Sequence, residues 1–411
     1  MQELISPVLS AMSDVGKAQC KFLERLFPAI LATRGHVTFR NLARHSDLHE
    51  KTYSRQFAKP FDFVAFNRAL IDQALGTSSA RIVAFDASFI KKAGKSTYGR
   101  GFFYKVLACK HATNGCAHRA EKGLEISSLV VVDMTYHTAF TLSVRQSEVV
   151  AEKKSELDTD TLIDHYMDHI RAVHPFLHQR ENVLVLDGAF ARIKVFDVLG
   201  ELGLQGITHL RKDADMRYFY EGPKRQKGSG RQKVYDGKVD WTDLSRFEYA
   251  GTYHGAKVYT KVLNHKHFKR TFRVVVLVNA QDPTDYLVLA CTHQDLDALT
   301  ICRYYSARFQ IEFTYRDGKQ YTGLADCQAR DKDRLHFHFN ASLTTLNLAK
   351  AEHINQQHRA QPFVFSMQSV KTRYFNEHYL NLFFLKLGLD PELMKKSPHY
   401  QWLCNYGAVA A

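Results

Sequence analysis

Four residues whose side chains can take part in chemistry recur between residues 304 and 322. They are Tyr305, Arg308, Glu312 and Lys319, at spacings of three, four and seven. If this segment is one helix, a rotation of about 100° per residue places all four on an arc of roughly 60°. The alternative is a solvated helix flank whose charges pair four residues apart. A phenol, a carboxylate and two cations on one stripe instead predict the face of an active site.

Two aspartates stand where predicted strands end. Asp86 follows the apolar run IVAF, and Asp187 follows VLVL. Each alone fits a turn or a helix cap equally well, but an ionised carboxylate beside a buried strand needs a partner or a cation. Strand ends are also where α/β sheets build their sites. With Glu312, the two aspartates make a set of three oxygen ligands, which suits Mg²⁺ or Mn²⁺. Two such ions roughly 4 Å apart activate a water or a 3′-hydroxyl for displacement at phosphorus.

Composition favours a polyanionic partner. The 411 residues include 56 Lys and Arg against 42 Asp and Glu, for a net charge of +14. Nucleic acid is the first candidate, because the basic residues are spread along the chain and no long apolar run predicts membrane binding. The seven cysteines are scattered and form no C-x-x-C pair, so we expect reduced thiols. The first residues do not resemble a secretory signal, and we expect a cytoplasmic protein.

The N-terminal region, residues 1–75, is predicted to be a helical DNA-binding domain. Residues 39–45 and 49–58 have the form of two short helices joined by a polar turn. In a helix-turn-helix the second helix offers long donors to phosphates and bases. We predict that Lys51 and Arg55 bind DNA, with Tyr53, Ser54 and Gln56 also on the outer face. A plain packing module of three helices remains the alternative.

The rest of the chain predicts a mixed α/β fold. Short β-branched runs from Ala80 onward are followed by alternating strands and helices, so residues 76–211 and 293–355 form the predicted catalytic domain. Residues 212–292 are rich in strands and turns and predict an all-β insertion. Within it, the basic run 224–233 either follows a DNA backbone or is a solvated loop. Residues 356–411 predict a C-terminal helical segment that is part of a core or a dimer surface.

The chain resembles the bacterial insertion-sequence DDE transposases, specifically the group marked by a Tyr-x2-Arg-x3-Glu-x6-Lys signature. That signature stands complete in the stripe, and the family's two aspartates match Asp86 and Asp187, the latter followed by Gly188 and Phe190. The resemblance covers roughly residues 35 to 350. It implies a ribonuclease-H-like core interrupted by a β-rich insertion. The match departs at Gly318, a common helix terminator, which would leave Lys319 just beyond the helix.

The resemblance also implies a mechanism. Asp86, Asp187 and Glu312 would hold two Mg²⁺ ions per active site, with Mn²⁺ as a substitute, and Tyr305, Arg308 and Lys319 would bind phosphates near the transposon end. The expected reaction is cut-and-paste transposition with a DNA hairpin intermediate, by a homodimer on the terminal inverted repeats and target DNA, at the bacterial nucleoid.

Hairpin-forming relatives flip a base near the end onto an aromatic residue of the insertion. Trp241 is the candidate here, with Tyr218 or Phe219 in reserve, although a buried packing role is as well supported. Two other functions remain open. A metal-dependent nuclease would cut without joining, and a domesticated regulator would bind DNA without cutting it.

Overall fold

The computed structural model describes residues 1–76, 79–105, 119–147, 161–223, 231–356 and 364–409. The helices of these ranges are α1 (Gln2–Ala11), α2 (Lys17–Ala32), α3 (Phe39–Arg44), α4 (Glu50–Phe57), α5 (Phe63–Leu75), α6 (Leu162–Val173), α7 (Ile193–Glu201), α8 (Ala298–Ala307), α9 (Gln310–Tyr321), α10 (Lys332–Gln356), α11 (Met367–Lys386), α12 (Pro391–Met394) and α13 (Pro398–Cys404). The strands are β1 (Arg81–Lys91), β2 (Gly101–Lys105), β3 (Arg119–Asp133), β4 (Thr138–Ser147), β5 (Val183–Leu186), β6 (Gln205–Leu210), β7 (Met216–Phe219), β8 (Tyr235–Lys238), β9 (Glu248–Tyr253), β10 (Ala256–His265), β11 (Arg270–Asn279) and β12 (Tyr286–Cys291). The prediction of a mixed α/β protein is confirmed. Among the helices so described, none is long and apolar enough to cross a membrane.

The chain forms two compact units. The first comprises Met1–Ala80, Ala87–Phe176 and Gln310–Ala411, and the second comprises Arg81–Asp86 and Leu177–Phe309. Strand β1 therefore begins in the second unit and ends in the first. The N-terminal helices belong to the same unit as α10, and the insertion strands belong to the same unit as β5 and β6. The finer domain boundaries drawn from the sequence stay a prediction.

Helix α10 forms the core of the first unit. Its buried positions include runs of consecutive residues from Leu335 to Ala351, so it is enclosed on all sides and not on one stripe. Helix α5 and strand β4 pack against it. Phe337 contacts Phe57 of α4, with ring centroids 4.5 Å apart. The N-terminal helices are thereby joined to this core by aromatic packing.

Side chains of α10 also cover the open edge of β4, which pairs with β3 along its other side. Asn347 accepts a hydrogen bond from the Thr141 N–H at 2.8 Å and donates one to the Thr141 carbonyl at 2.7 Å. Asn340 makes the same pair of bonds with Val144, at 3.2 and 2.9 Å. The Lys350 ammonium donates to the Ala139 carbonyl at 2.7 Å. The helix thus satisfies backbone groups that an added strand would otherwise take.

The helix-turn-helix elements appear as α3 and α4, within a residue or two of their predicted bounds. Lys51 and Arg55 are exposed on α4 as expected. Tyr53 is a correction, since it was expected on the outer face and is fully buried. Its ring packs against Phe22 at 5.7 Å, and its hydroxyl donates to the Ser46 hydroxyl at 2.8 Å. Packing of this short helix onto the core decides which face is hidden.

The second unit contains a sheet that changes from parallel to antiparallel. Strands β1, β5 and β6 run parallel, and β12, β11 and β10 continue from β6 in antiparallel order. Strands β9 and β7 both pair with β10, and β8 pairs with β7. In the described part of residues 212–292 all regular elements are strands, as the sequence predicted. Most of the basic run, residues 224–230, lies outside the described residues.

Candidate active site

Asp86 and Asp187 stand at matching positions on neighbouring parallel strands. Phe85 of β1 is in register with Leu186 of β5, and the residue that follows each of them is an aspartate. The strand residues before them are almost fully buried. The side chains of Asp86 and Asp187 are 23% and 46% exposed, respectively. Strand pairing therefore sets two partly solvated carboxylates side by side. Asp187 directly follows the carboxyl end of β5. Asp86 is a correction, since it was expected at a strand end and lies within β1, which continues to Lys91.

Gly188 and Phe190, shortly after Asp187, are each explained by their contacts in the structure. A Cβ atom on Gly188 would lie 3.0 Å from Nδ1 and 3.1 Å from the carbonyl oxygen of His209 on β6, so this position favours glycine. The ring of Phe190 packs edge-on against that of Phe85, with centroids 5.6 Å apart. The Thr208 hydroxyl donates to the Asp187 carbonyl at 3.0 Å. Together these contacts fix the backbone that carries Asp187.

Arg308 joins the two aspartates. Its guanidinium lies 3.4 Å from Asp86 Oδ2 through Nη1 and 3.9 Å from Asp187 Oδ1 through Nη2. The Arg308 side chain is only 13% exposed, and its guanidinium carbon is 5.8 Å from the centre of the Tyr305 ring. Four of the predicted active-site residues lie in the second unit. Asp86, Asp187 and Arg308 form one ion-pair network, and Tyr305 lies beside Arg308.

The segment that carries the signature is not one helix. Helix α8 ends at Ala307 and α9 begins at Gln310, so the expectation of a single continuous helix is wrong. The N–H groups of Arg308 and Phe309 donate to carbonyls three residues earlier, as in a tight final turn. Glu312 then lies in the first turn of α9, half-buried. Tyr305 and Arg308 belong to the second unit, whereas Glu312 and Lys319 belong to the first.

Lys319 lies inside α9, and Gly318 does not end the helix as the sequence suggested. A Cβ atom at Gly318 would lie 2.6 Å from Leu343 Cδ2, so the glycine permits close packing of α9 on α10. The Lys319 ammonium donates to the Ser88 hydroxyl at 2.8 Å and to the Phe89 carbonyl at 2.9 Å. In this structure Lys319 therefore fastens α9 to the part of β1 that directly follows Asp86.

His209 is a neighbour of the site that the sequence did not indicate. It is half-buried on β6, and burial lowers its pKa, while the charge of Asp187 partly opposes that shift. The sequence feature that could have indicated His209 is its position as a polar residue in the short strand GITHL. Ser88, two residues after Asp86, was also missed, because a serine in a strand has no distinctive pattern.

The donor set fits a divalent cation in part. In the described ranges no group of three or more His, Cys, Asp or Glu side chains converges closely enough to hold an ion. Asp86 and Asp187 offer hard oxygen donors at matched positions of two neighbouring parallel strands, and such donors are what Mg²⁺ prefers. The Arg308 guanidinium lies against both carboxylates and balances part of their charge. The pair therefore offers two of the ligands that the sequence predicted.

The remaining predicted DNA-binding residues lie apart from these contacts. Trp241 is 8% exposed and packs near Phe247, with ring centroids 6.4 Å apart. Tyr218 is also buried, against the same phenylalanine and under the guanidinium of Arg246. Phe219 is intermediate in exposure. The surroundings of Trp241 and Tyr218 are those expected for a buried packing role. A DNA-binding role for Trp241 stays a prediction.

A comparison with protein families agrees with this arrangement. The family described as "Transposase DDE domain" matches residues 77–348, about two thirds of the chain. The protein belongs to this family of transposases. A search of curated proteins finds no match. The matched range includes Asp86, Asp187 and the complete stripe from Tyr305 to Lys319.

Proposed function

We propose that this transposase cuts DNA at the ends of its own mobile element and joins the freed ends to target DNA. The observation that carries the proposal is the pairing of Asp86 with Asp187 at matching positions on parallel strands, with Arg308 against both. The mixed α/β fold with a β-rich insertion is consistent with a ribonuclease-H-like core. We also place the chain in the group marked by Tyr305, Arg308, Glu312 and Lys319.

Asp86, Asp187 and Glu312 would hold two Mg²⁺ ions, for which Mn²⁺ can substitute. When bound, such ions stabilise the charge that develops on the attacking and leaving oxygens at phosphorus. The two aspartates are suited to this by their hard oxygen donors and by their partial exposure. Glu312, in the first turn of α9, is the proposed third ligand.

Arg308 is the proposed phosphate-binding residue of the site. Its planar guanidinium has five N–H donors and can bind two oxygens of one phosphate, as it now binds two aspartates. Transfer of these donors from carboxylates to a DNA phosphate would leave Asp86 and Asp187 available as ligands. Tyr305, next to Arg308, would contribute a hydroxyl to the same phosphate. Lys319 follows further along the signature, and its ammonium group holds α9 against β1.

The proposed reaction is a series of displacements at phosphorus. Water first attacks a phosphodiester, forming one P–O bond and releasing a 3′-hydroxyl. That hydroxyl then attacks the opposite strand, which closes a hairpin on either the transposon end or the flank and separates the two. A second water reopens the hairpin, and the 3′-hydroxyl finally attacks target DNA. Each step exchanges one P–O bond for another, so it needs no covalent bond between protein and DNA.

DNA contacts outside the site are proposed for two regions. Lys51 and Arg55 are exposed four residues apart on α4, a spacing that puts both on one face of the helix. They are suited to bind phosphates or base edges of a terminal inverted repeat. In the insertion, Trp241 is proposed to receive a flipped base, which requires that it leave its place beside Phe247.

A homodimer is proposed for the complex that holds both ends. The C-terminal helices α11 to α13 expose large apolar side chains, among them Leu385 at 64%, Leu393 at 62% and Trp402 at 63%. Monomeric proteins rarely expose such a set within so short a segment. A symmetric contact between two copies would remove these side chains from water.

The experiment that tests the function uses a labelled duplex carrying one end of the protein's own element. Protein, duplex and Mg²⁺ or Mn²⁺ are incubated, and products are resolved on a denaturing gel. We expect nicked and hairpin species that are absent with Glu312→Gln and Asp187→Asn. Lys269→Gln, on the β10–β11 turn, is the matched control and should cleave normally. Tight binding without any metal-dependent product from the intact protein would contradict the proposal and favour a regulator.

A further inference from the structure

A polar cavity of about 410 Å³ in the first unit borders Lys319. Besides Lys319, its lining includes Arg34, His36, Asp326, Lys371 and Gln368. Three basic side chains, those of Lys319, Arg34 and Lys371, therefore line the space together with one carboxylate. The DNA contacts proposed above make no use of Arg34, Lys371 or Gln368. We call this space the Lys371 cavity.

Lys371 is a half-buried cation whose partners are neutral carbonyls. Its ammonium donates to the Tyr321 carbonyl at 2.8 Å and to the Ile30 carbonyl at 3.3 Å. An ammonium has three donors, and these two bonds leave one for the cavity. Burial lowers the pKa of Lys371 to about 8, although the charge of Asp326 partly opposes this shift. A buried cation without a bound anion is costly, so an anion in the cavity would be stabilised.

The loop that carries Arg34 is held in place before any ligand binds. The Asn41 side-chain amide donates to the carbonyls of Arg34 at 2.7 Å and His36 at 2.8 Å. Gly35 between them has a φ of 75°, a conformation that favours glycine. The Arg34 guanidinium carbon lies 4.2 Å from the centre of the Phe375 ring. This cation is therefore pre-positioned on the rim of the cavity.

The single carboxylate of the cavity is already engaged. Asp326 Oδ2 accepts a hydrogen bond from the Val37 N–H at 2.7 Å, and Oδ1 lies 2.8 Å from His36 Nδ1. The hydrogen bond with Asp326 raises the pKa of His36. Asp326 is thus largely balanced by its own neighbours, and the excess charge of the cavity is positive.

We propose that the Lys371 cavity binds a backbone phosphate of the DNA substrate, with Arg34 and Lys371 as the contacting cations. The inference rests on the proposed function, since DNA is the polyanion that a transposase must hold. Lys319 lines the cavity and also fastens α9 to Ser88 and Phe89 of β1 within the same unit. A phosphate in the cavity would position the DNA strand without taking part in the displacement.

The test measures binding of a fluorescein-labelled duplex of random sequence by anisotropy, in EDTA, over a range of NaCl concentrations. Each phosphate contact contributes about 0.9 to the slope of log K against log salt. We expect Arg34→Gln and Lys371→Gln each to lower the slope by about 0.9 and to weaken binding several-fold. Lys371→Arg should retain the slope. Arg171→Gln, an exposed arginine on α6, is the matched control and should leave the slope unchanged.

Slopes equal to that of the wild type in both Gln variants would overturn the proposal. If Lys371→Gln fails to fold because it loses two carbonyl contacts, the exposed Arg34 carries the test alone. Stabilisation by inorganic phosphate that depends on Arg34, without any effect on the duplex slope, would assign the cavity to a free anion and also overturn it. Binding in EDTA needs no cleavage, so normal end cleavage with unchanged slopes would reject the cavity and leave the proposed function intact.

Discussion

Replacing Asn347 with leucine should strongly destabilise the protein, because the side chain satisfies both polar groups of one edge-strand residue. Asn347 is fully buried on α10. It bonds the Thr141 N–H at 2.8 Å and the Thr141 carbonyl at 2.7 Å. Leucine has a similar size and can donate or accept neither bond.

The magnitude follows from counting the groups that would lose a partner. A buried backbone donor or acceptor without a hydrogen bond costs about 1–3 kcal/mol. Two such groups give about 2–6 kcal/mol. A third acceptor, Asn67 Oδ1, loses its bond from Asn347 at 3.1 Å but keeps one from the Thr344 hydroxyl at 3.0 Å, so it adds little. The total is a large part of the stability of an ordinary domain, about 5–15 kcal/mol.

The assay is urea unfolding followed by circular dichroism, together with hydrogen exchange of the β4 peptide. Asn347→Leu should lower the midpoint and accelerate exchange at Thr141. Asn355→Leu is the control, because Asn355 is exposed on the same helix and its replacement should change stability by less than about 0.5 kcal/mol. Equal midpoints for the two variants would refute the conclusion that α10 completes the edge of β4.

Three further predictions concern pH, metal and assembly. Burial lowers the pKa of His169 from 6.5 to about 3 in the folded protein. Between these pH values only the unfolded chain takes up the proton, so the free energy of unfolding decreases as the pH is lowered. At pH 5 the loss in the free energy of unfolding is about 2 kcal/mol. His169→Gln should therefore reduce, by that amount, the difference in the free energy of unfolding between urea titrations at pH 7.5 and pH 5. An unchanged difference would contradict this prediction. Arg308→Gln should gain more thermal stability from Mg²⁺ than the wild type gains, because no guanidinium competes for Asp86; a smaller gain would argue against the bridging role. Leu385→Glu should shift the sedimentation of a dimer to that of a monomer, whereas Lys386→Gln should not; a dimer in both would place the interface elsewhere.

The strand-borne part of the site was accessible from the sequence. An aspartate directly after an apolar run was taken to mark a strand end, and that rule located Asp187 correctly after β5. For Asp86 the rule found the strand but not its end, because β1 continues to Lys91. The run of short strands between residues 216 and 291 was predicted for a similar reason, since alternation and turn residues are local signals. These features depend on neighbours in the chain, which the sequence displays.

Features set by distant contacts were not accessible. The break at Arg308 and Phe309 has no proline or glycine to announce it. Gly318 was interpreted as a helix terminator, but its reason is the approach of Leu343 from α10. Tyr53 was expected to face outward and is buried against Phe22. For Gly318 and Tyr53 the deciding partner is far away in sequence, so local propensity could not predict the outcome.

The most direct test of the proposed transposase function is an assay of strand transfer. A labelled duplex that ends in a pre-cut 3′-hydroxyl of the element's own end is mixed with the protein, Mg²⁺ and a supercoiled plasmid. We expect a labelled plasmid product that is lost with Asp86→Asn, Asp187→Asn and Glu312→Gln. Labelled end that is only degraded, or plasmid that is cut but never joined, would contradict a transposase and identify a nuclease.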